Sequence, residues 1–394
     1  MSRQSGLKIL WHSVSPHIRS GYGNVTRYVT TGIKSAGYDI IVSAYYGVEP
    51  GGILQINNVP VVSSKRGQFG EVDYKYYFSS TGRNMGILMT DFWAFGWFPG
   101  IHVSCSSSPL DHEDYPPELQ EYIKSYDYIV TLSKWTQREL AKFGCKSTWI
   151  PHGINMGVFR PMDKDKAREI TGLDKNKFII GTVGANSDKE TRKSWYEMLD
   201  ALKQFLDNNP DVKDVKHVIH TNPLDTRGIN MQLAVKKRGL EGVCQLENPF
   251  MSNVGISEEE LAVLYNNFDV FLCPSKREGF GMCFYEAMAC GVPCIGHDFS
   301  ALPEAIKGHG WLAKTAIKVA TPINAVTGIP DVDDIERCIK EAYFNDSLRE
   351  KYGRKSRKFA LKFDWNSAVN KWTDFLEQVE ADLVPKKVQE RKLI

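Results

Sequence analysis

Glu278 and Glu286 stand eight residues apart and bracket the turn Gly279-Phe280-Gly281. Carboxylates accept hydrogen bonds from hydroxyl groups. A Gly-x-Gly turn lets the backbone come close to a ligand, because glycine has no side chain to block it. The turn opens a helix at Met282, whose first N–H groups lack intrahelical partners and favour phosphate. Eight residues, part turn and part helix, span roughly 10 Å, comparable to a hexose–diphosphate–ribose unit. The segment can therefore hold hydroxyls at both ends, Glu278 at the hexose and Glu286 at the ribose, with phosphate at the helix start. The competing reading is a plain strand–loop–helix with two surface glutamates.

Arg192-Lys193 is a second feature, downstream of the apolar run Phe178-Ile179-Ile180-Gly181-Thr182-Val183. Adjacent cations just outside a strand end suit a diphosphate, arginine as a fork and lysine as a point charge. The plainer alternative is a solvated first helical turn. His220 also closes an apolar run, Val218-Ile219-His220, a position that favours ligand contact over a capped loop only weakly. No HExxH, EF-hand loop or paired Asp-x-Asp is present, so no metal site is expected.

The elements that position these residues follow from the alternation of short apolar runs with helical patterns. Strands are expected at 8–11, 38–44, 59–62, 85–89 and 128–132, with helices at 24–36, 118–125 and 134–143. The pattern restarts with strands at 178–183, 217–220, 243–246, 269–272 and 293–296. Helices lie between them at 194–207, 231–238 and 257–267, and another starts at 282. Ser257 with Glu260 reads as a capping box. Such alternation predicts an α/β fold with doubly wound, mostly parallel sheets. Expected boundaries are 1–158 and 159–364, then a helix over about 365–385 and a basic tail over 385–394.

The chain has 394 residues, 42% hydrophobic and 24% charged, which suits two soluble globular domains. A formal charge of +2 gives no general reason to expect nucleic acid. The eight cysteines show no zinc spacing and read as reduced, buried thiols of a cytoplasmic protein. No signal peptide and no membrane-spanning run are expected. Peripheral membrane contact stays open through the aromatic run Phe92–Phe98 and the basic helix carrying Lys351, Arg354, Lys355, Arg357, Lys358 and Lys362.

The Glu278–Glu286 segment, with Pro274-Ser275 before it and Ala287, Ala289, Gly291 and Pro293 after it, resembles the E-x7-E motif of the retaining family 4 glycosyltransferases. That resemblance implies the GT-B fold, two Rossmann-like domains facing across a cleft, with the final helix crossing back onto the first domain. It implies no cofactor, and transfer of a hexose from a UDP-, GDP- or ADP-sugar to an acceptor hydroxyl of unknown identity. Lys193 matches the family's diphosphate-neutralising lysine, while Ala185 stands where its arginine is expected and Arg192 is the substitute. Glu278, Lys193, Arg192 and His112 form the implied catalytic set. Gly21 and Gly23 resemble the family's first-domain glycine-rich loop, and Gly279, Phe280, Gly281, Met282, Glu286, His220 and Phe250 complete the implied donor site. Asp111, beside His112, and His152, in the turn Pro151-His152-Gly153, are implied acceptor-side residues. A sugar-nucleotide epimerase of related fold and a non-catalytic nucleotide-sugar or glycan-binding protein are the alternatives.

Overall fold

The structure, a computed structural model, describes residues 5–92, 103–249 and 255–390. The chain forms two compact units. Unit 1 comprises Met1–Leu110, Pro116–Gly153 and Phe363–Ile394; unit 2 comprises Asp111–Tyr115 and Ile154–Lys362. These limits differ from the expected 1–158 and 159–364 mainly in the short segment Asp111–Tyr115, which packs with unit 2.

Unit 1 begins with β1 (Lys8–Val14), α1 (Gly21–Ser35), β2 (Asp39–Tyr46), β3 (Ile53–Ile56), β4 (Val59–Ser63) and α2 (Glu71–Ser80). It continues with β5 (Met85–Leu88), β6 (Val103–Ser106), α3 (Pro117–Lys124), β7 (Tyr128–Thr131), α4 (Lys134–Ala141) and β8 (Thr148–Trp149). The strands form one sheet in the order β3-β4-β2-β1-β5-β6-β7-β8, parallel except where β3 meets β4. Burial follows the apolar runs: six of the seven β1 residues are buried.

Ser20 caps α1 by accepting from the Gly23 N–H at 3.1 Å. A Cβ on Gly23 would lie 2.0 Å from the Ile18 carbonyl oxygen and 3.2 Å from that of Ser15. Backbone cannot yield as a side-chain tip can, so only glycine lets this turn close. Gly23→Ala is expected to lose about 1–3 kcal/mol, read as a lower urea midpoint; an unchanged midpoint would contradict this contact.

Unit 2 contains α5 (Lys164–Thr171), β9 (Phe178–Val183), α6 (Trp195–Asn208), β10 (Val215–His220), α7 (Met231–Lys236) and β11 (Cys244–Leu246). After these come α8 (Glu258–Asn266), β12 (Val270–Leu272), α9 (Met282–Ala289), β13 (Cys294–His297), α10 (Leu302–Ile306) and β14 (Trp311–Ala313). A hairpin, β15 (Thr315–Ala320) and β16 (Val326–Pro330), precedes α11 (Val332–Phe344) and α12 (Asp346–Ala360). The capping box at Ser257 and Glu260 forms at the start of α8. Trp195, Leu199, Leu202 and Phe205 of α6 pack with Ile335, Ile339 and Ala342 of α11 and with Ile180 and Leu272 of the sheet.

The second sheet is parallel, in the order β11-β10-β9-β12-β13-β14. Chain order runs from β9 to β11 on one side, then crosses to β12 on the other. Ligands favour the carboxyl ends of strands at such a reversal. The β9 and β12 ends lead to Lys193 and Glu278.

The β15–β16 hairpin explains why Asp111–Tyr115 belongs to unit 2. Glu113 and Val326 exchange backbone hydrogen bonds of 3.0 and 2.8 Å, and Lys318 Nζ lies 2.5 Å from the Glu113 carboxylate. Unit 1 is completed by α13 (Trp365–Glu390), which packs on α1. Trp372 meets Trp11 edge-on at 5.4 Å, and Trp365 stacks on Tyr28 at 4.6 Å. Gly32 makes this approach possible, since a Cβ there would lie 2.5 Å from Val369.

Candidate functional site

Three side chains converge beyond the ends of β9 and β12. Glu278 Oε1 is 2.5 Å from Lys193 Nζ, and its Oε2 is 3.0 Å from Arg192 Nη1. Arg192 Nη1 also donates to the Arg277 carbonyl at 3.0 Å. The Glu278 N–H donates to Ser300 Oγ at 2.8 Å. Burial alone would raise the Glu278 pKa, but Arg192 and Lys193 outweigh it and bring the group to about 2. Burial would likewise lower Lys193 and Arg192, yet the facing carboxylate holds both above their ordinary ranges. Two cations share one carboxylate, so the trio carries a surplus positive charge.

The backbone around the trio is strained. Thr191 (φ 52°), Ser194 (φ 54°) and Ser300 (φ 53°) are all left-handed, although none is glycine. Such residues cost of order 1–3 kcal/mol each and gather at functional sites. Thr191 and Ser194 flank the two cations and so aim them. Lys276 Nζ fixes this turn by donating to the Glu190 carbonyl at 2.7 Å and to Thr191 Oγ1 at 3.0 Å.

The helix α9 starts at Gly281, left-handed at φ 83°, with no side-chain cap and no acidic residue in its first turn. A Cβ on Gly281 would lie 3.1 Å from Phe284 and 3.3 Å from Leu302, so space as well as conformation selects glycine. The Phe284 N–H donates to the Gly281 carbonyl at 2.9 Å, which leaves the N–H groups of Met282 and Cys283 to face an anion.

Glu286 lies inside α9 and is 6% exposed. Tyr265 Oη donates to its Oε2 at 2.8 Å. Burial raises its pKa to about 7, the Tyr265 bond acting against this shift. Between about 4.5 and 7 the folded protein holds a proton that the unfolded chain has lost. Stability from this group is therefore complete below 4.5, falls as pH rises to about 7 and is level above. Glu286→Gln is expected to flatten that slope in urea unfolding from pH 5 to 8; a slope equal to wild type would count against it.

The other expected site residues are placed as follows. The Phe280 ring is buried and stacks on Tyr285 at 4.2 Å, so its backbone, like that of Gly279, is what it can offer a ligand. His220 Nδ1 lies 3.0 Å from Glu247 Oε2 at the end of β10. His112 and Asp111, expected on a first-domain loop, sit in unit 2, where Arg277 Nε lies 3.7 Å from Asp111 Oδ1. The Asp111 carboxyl is lowered despite its burial, by the neighbouring His112 and Arg277. Gly21, Gly23 and His152 belong to unit 1. His152 is buried, which lowers its pKa to about 3, and Gly153 beside it packs on Trp365. Phe250 and residues 93–98 of the aromatic run lie outside the described residues.

Arg277, Lys276, Glu190 and Ser300 were not singled out from sequence. The charged run Lys276-Arg277-Glu278 was the available signal. Among the described residues no three His, Cys, Asp or Glu side chains converge as a metal-ligand set, and no helix is long and apolar enough to cross a membrane. The eight cysteines form no disulfide, and seven of them are buried.

Comparison with known proteins places this arrangement. A D-inositol 3-phosphate glycosyltransferase of Paenarthrobacter aurescens is 25% identical over 238 residues, covering 60% of this chain. The match covers 53% of that protein, so the chain spans about half the length of this curated relative. The sucrose-phosphate synthase structure from Thermosynechococcus elongatus superposes with a TM-score of 0.77 at 17% identity, over 95% of this chain and 100% of that one. Anabaena HepE, solved in complex with UDP-glucose, gives a TM-score of 0.69 at 14% identity, over 94% and 100%. These likenesses establish the expected α/β GT-B fold. Residues 163–359, half of the chain and including Lys193, Glu278 and Glu286, match the family described as glycosyl transferases group 1, and the chain belongs to that family.

Proposed function

We propose that this chain is a retaining glycosyltransferase that moves a hexose from a nucleotide-diphosphate sugar to an acceptor hydroxyl without a metal ion. The observation that carries this reading is the convergence of Arg192 and Lys193 on Glu278, near the uncapped start of α9. The UDP-glucose complex of the similar HepE supports the donor class, and the names of the relatives support glycosyl transfer.

In this reading the diphosphate meets the two cations and the first N–H groups of α9. Arg192 and Lys193 then stabilise the charge that grows on the leaving phosphate as the glycosidic bond breaks, supplying the neutralisation a divalent ion gives elsewhere. Glu278 turns to the sugar hydroxyls, and ionised Glu286 accepts from the ribose hydroxyls. The acceptor oxygen forms its bond on the face the diphosphate leaves, and its proton passes to that phosphate.

Incubation with UDP-, GDP- and ADP-hexoses and a panel of hydroxyl acceptors tests this. The expected result is a glycoside with the donor's anomeric configuration, formed equally well in chelator. Tight nucleotide-sugar binding with no transfer, or sugar epimerisation without an acceptor, would overturn it.

A further inference from the structure

Arg192 and Lys193 owe their aim to a turn that other residues must hold. It lies between β9 and α6, and the residues flanking the two cations, Thr191 and Ser194, are left-handed at φ 52° and 54°. Threonine is β-branched, so this region is less open to it than to asparagine or glycine. Bonds inside the turn give it shape. Asp188 Oδ1 accepts from the Arg192 N–H at 2.8 Å, and the Thr191 carbonyl from the Ser194 N–H at 2.7 Å. Neither bond fixes where the turn stands relative to Glu278.

Lys276 supplies that tie from the segment that follows β12. Its N–H donates to the Arg192 carbonyl at 2.8 Å, while its Nζ reaches the Glu190 carbonyl and Thr191 Oγ1. Its own carbonyl accepts from Thr327 Oγ1 of β16 at 3.3 Å, and Thr327 is buried. Lys276 is buried too, and Glu197 Oε1, from the first turn of α6, stands 3.5 Å from its Nζ. The other carboxylate oxygen of Glu197 is buried without a hydrogen-bond partner, so charge is what this side chain offers the ammonium. Hydrogen bonds from a cation are comparable in strength to the strain of a left-handed residue. Without them the turn has reason to relax, and Arg192 and Lys193 turn with it.

We propose, on the reading that the chain transfers a hexose, that Lys276 is a positioning residue for the reaction, with Glu197 as its counter-ion. Lys276 does not meet the substrate. It keeps Thr191 and Ser194 left-handed, so that Arg192 and Lys193 stand where negative charge grows on the departing phosphate. Mis-aimed cations lose most where that charge is full, in the transition state and the released nucleoside diphosphate. They lose least with the intact donor.

Lys276→Met tests this, through kinetics with the nucleotide hexose that wild type uses best and calorimetry with UDP, GDP, ADP and the matching monophosphates. The expected result is a kcat lowered roughly 10- to 30-fold, with the donor KM within about 3-fold. Affinity for the nucleoside diphosphate should fall about 3- to 10-fold, while that for the monophosphate stays within about 2-fold. Adding Thr191→Asn, which accepts a positive φ more readily, should raise the kcat of Lys276→Met at least about 3-fold. A purely structural lysine would lower the urea midpoint and leave kcat and diphosphate affinity unmoved, and that pattern overturns the positioning role. Equal losses for mono- and diphosphate, or no recovery with Thr191→Asn, overturn it as well. Should Lys276→Met not fold, Lys276→Met with Glu197→Gln removes both charges together and gives the same comparison. A wild type that binds the nucleotides but transfers no hexose overturns the functional reading, while the diphosphate affinities still judge Lys276. A wild type that binds none of them overturns both.

Discussion

Glu278→Ala is expected to cut transfer at least about 100-fold, a loss of roughly 3 kcal/mol in transition-state stabilisation. It is also expected to lower stability by about 3–5 kcal/mol, because Arg192 and Lys193 lose the charge they share. Lys193 is the more exposed to this effect in energetic terms, being almost wholly buried. The two consequences separate with Glu278→Gln, which keeps the shape and a hydrogen-bond acceptor. Nucleoside diphosphate should bind Glu278→Gln at least as tightly as wild type, since both cations are then free to meet phosphate. Lys193→Ala should instead weaken that binding while also cutting transfer about 100-fold or more. Calorimetry with the nucleoside diphosphate and turnover at saturating donor read the two arms. Wild-type turnover in both alanine variants would remove Glu278 and Lys193 from the chemistry. Because the Glu278 pKa is depressed, its stabilising contribution is complete above about 4.5 and disappears as pH falls to about 2.

Trp372→Ala is expected to cost about 3–5 kcal/mol in unit 1. Trp372 is 2% exposed, meets Trp11 at 5.4 Å and Phe375 at 5.8 Å, and lies along a stripe with buried Leu376 and Val379. Truncation leaves a large void against a β1 side chain that is itself fully buried, and the surrounding sheet has little freedom to fill it. Urea unfolding followed by tryptophan fluorescence should show an early transition for unit 1, with the transition of unit 2 unmoved. A loss below about 1 kcal/mol would mean that α13 adds little to this core.

The parallel sheets were legible because their strands are short apolar runs. Phe178–Val183 was read to the residue, and most other expected strands and helices shifted by only a few positions. Where composition and packing disagree, the reading failed. The helix α2, Glu-Val-Asp-Tyr-Lys-Tyr-Tyr-Phe-Ser-Ser, is rich in aromatics that favour strands and has no helical apolar stripe. β15 has mostly exposed side chains, so its hairpin leaves little hydrophobic trace. At the site, Lys193 and Glu278 could be paired because both follow strand ends. The partnership of Asp111 with Arg277 could not, since it depends on the backbone bridge between Glu113 and Val326, residues far apart in sequence. Strain at Thr191, Ser194 and Ser300 was equally invisible, as residue type gives no hint of a positive φ there.

The placement of α13 sets the order of assembly during synthesis. The strands of unit 1 leave the ribosome first, yet the helix that covers α1 and Trp11 is translated only after Ile154–Lys362. At about 5–20 residues per second, that intervening stretch takes roughly 10–40 s. Throughout that interval the Trp11 and Tyr28 surface has no lid, and at its end unit 2, Asp111–Tyr115 included, has its complete sequence before the last segment of unit 1 is made. The half of the chain born first is therefore the half finished last, and it is the one that a nascent-chain chaperone would have most reason to hold.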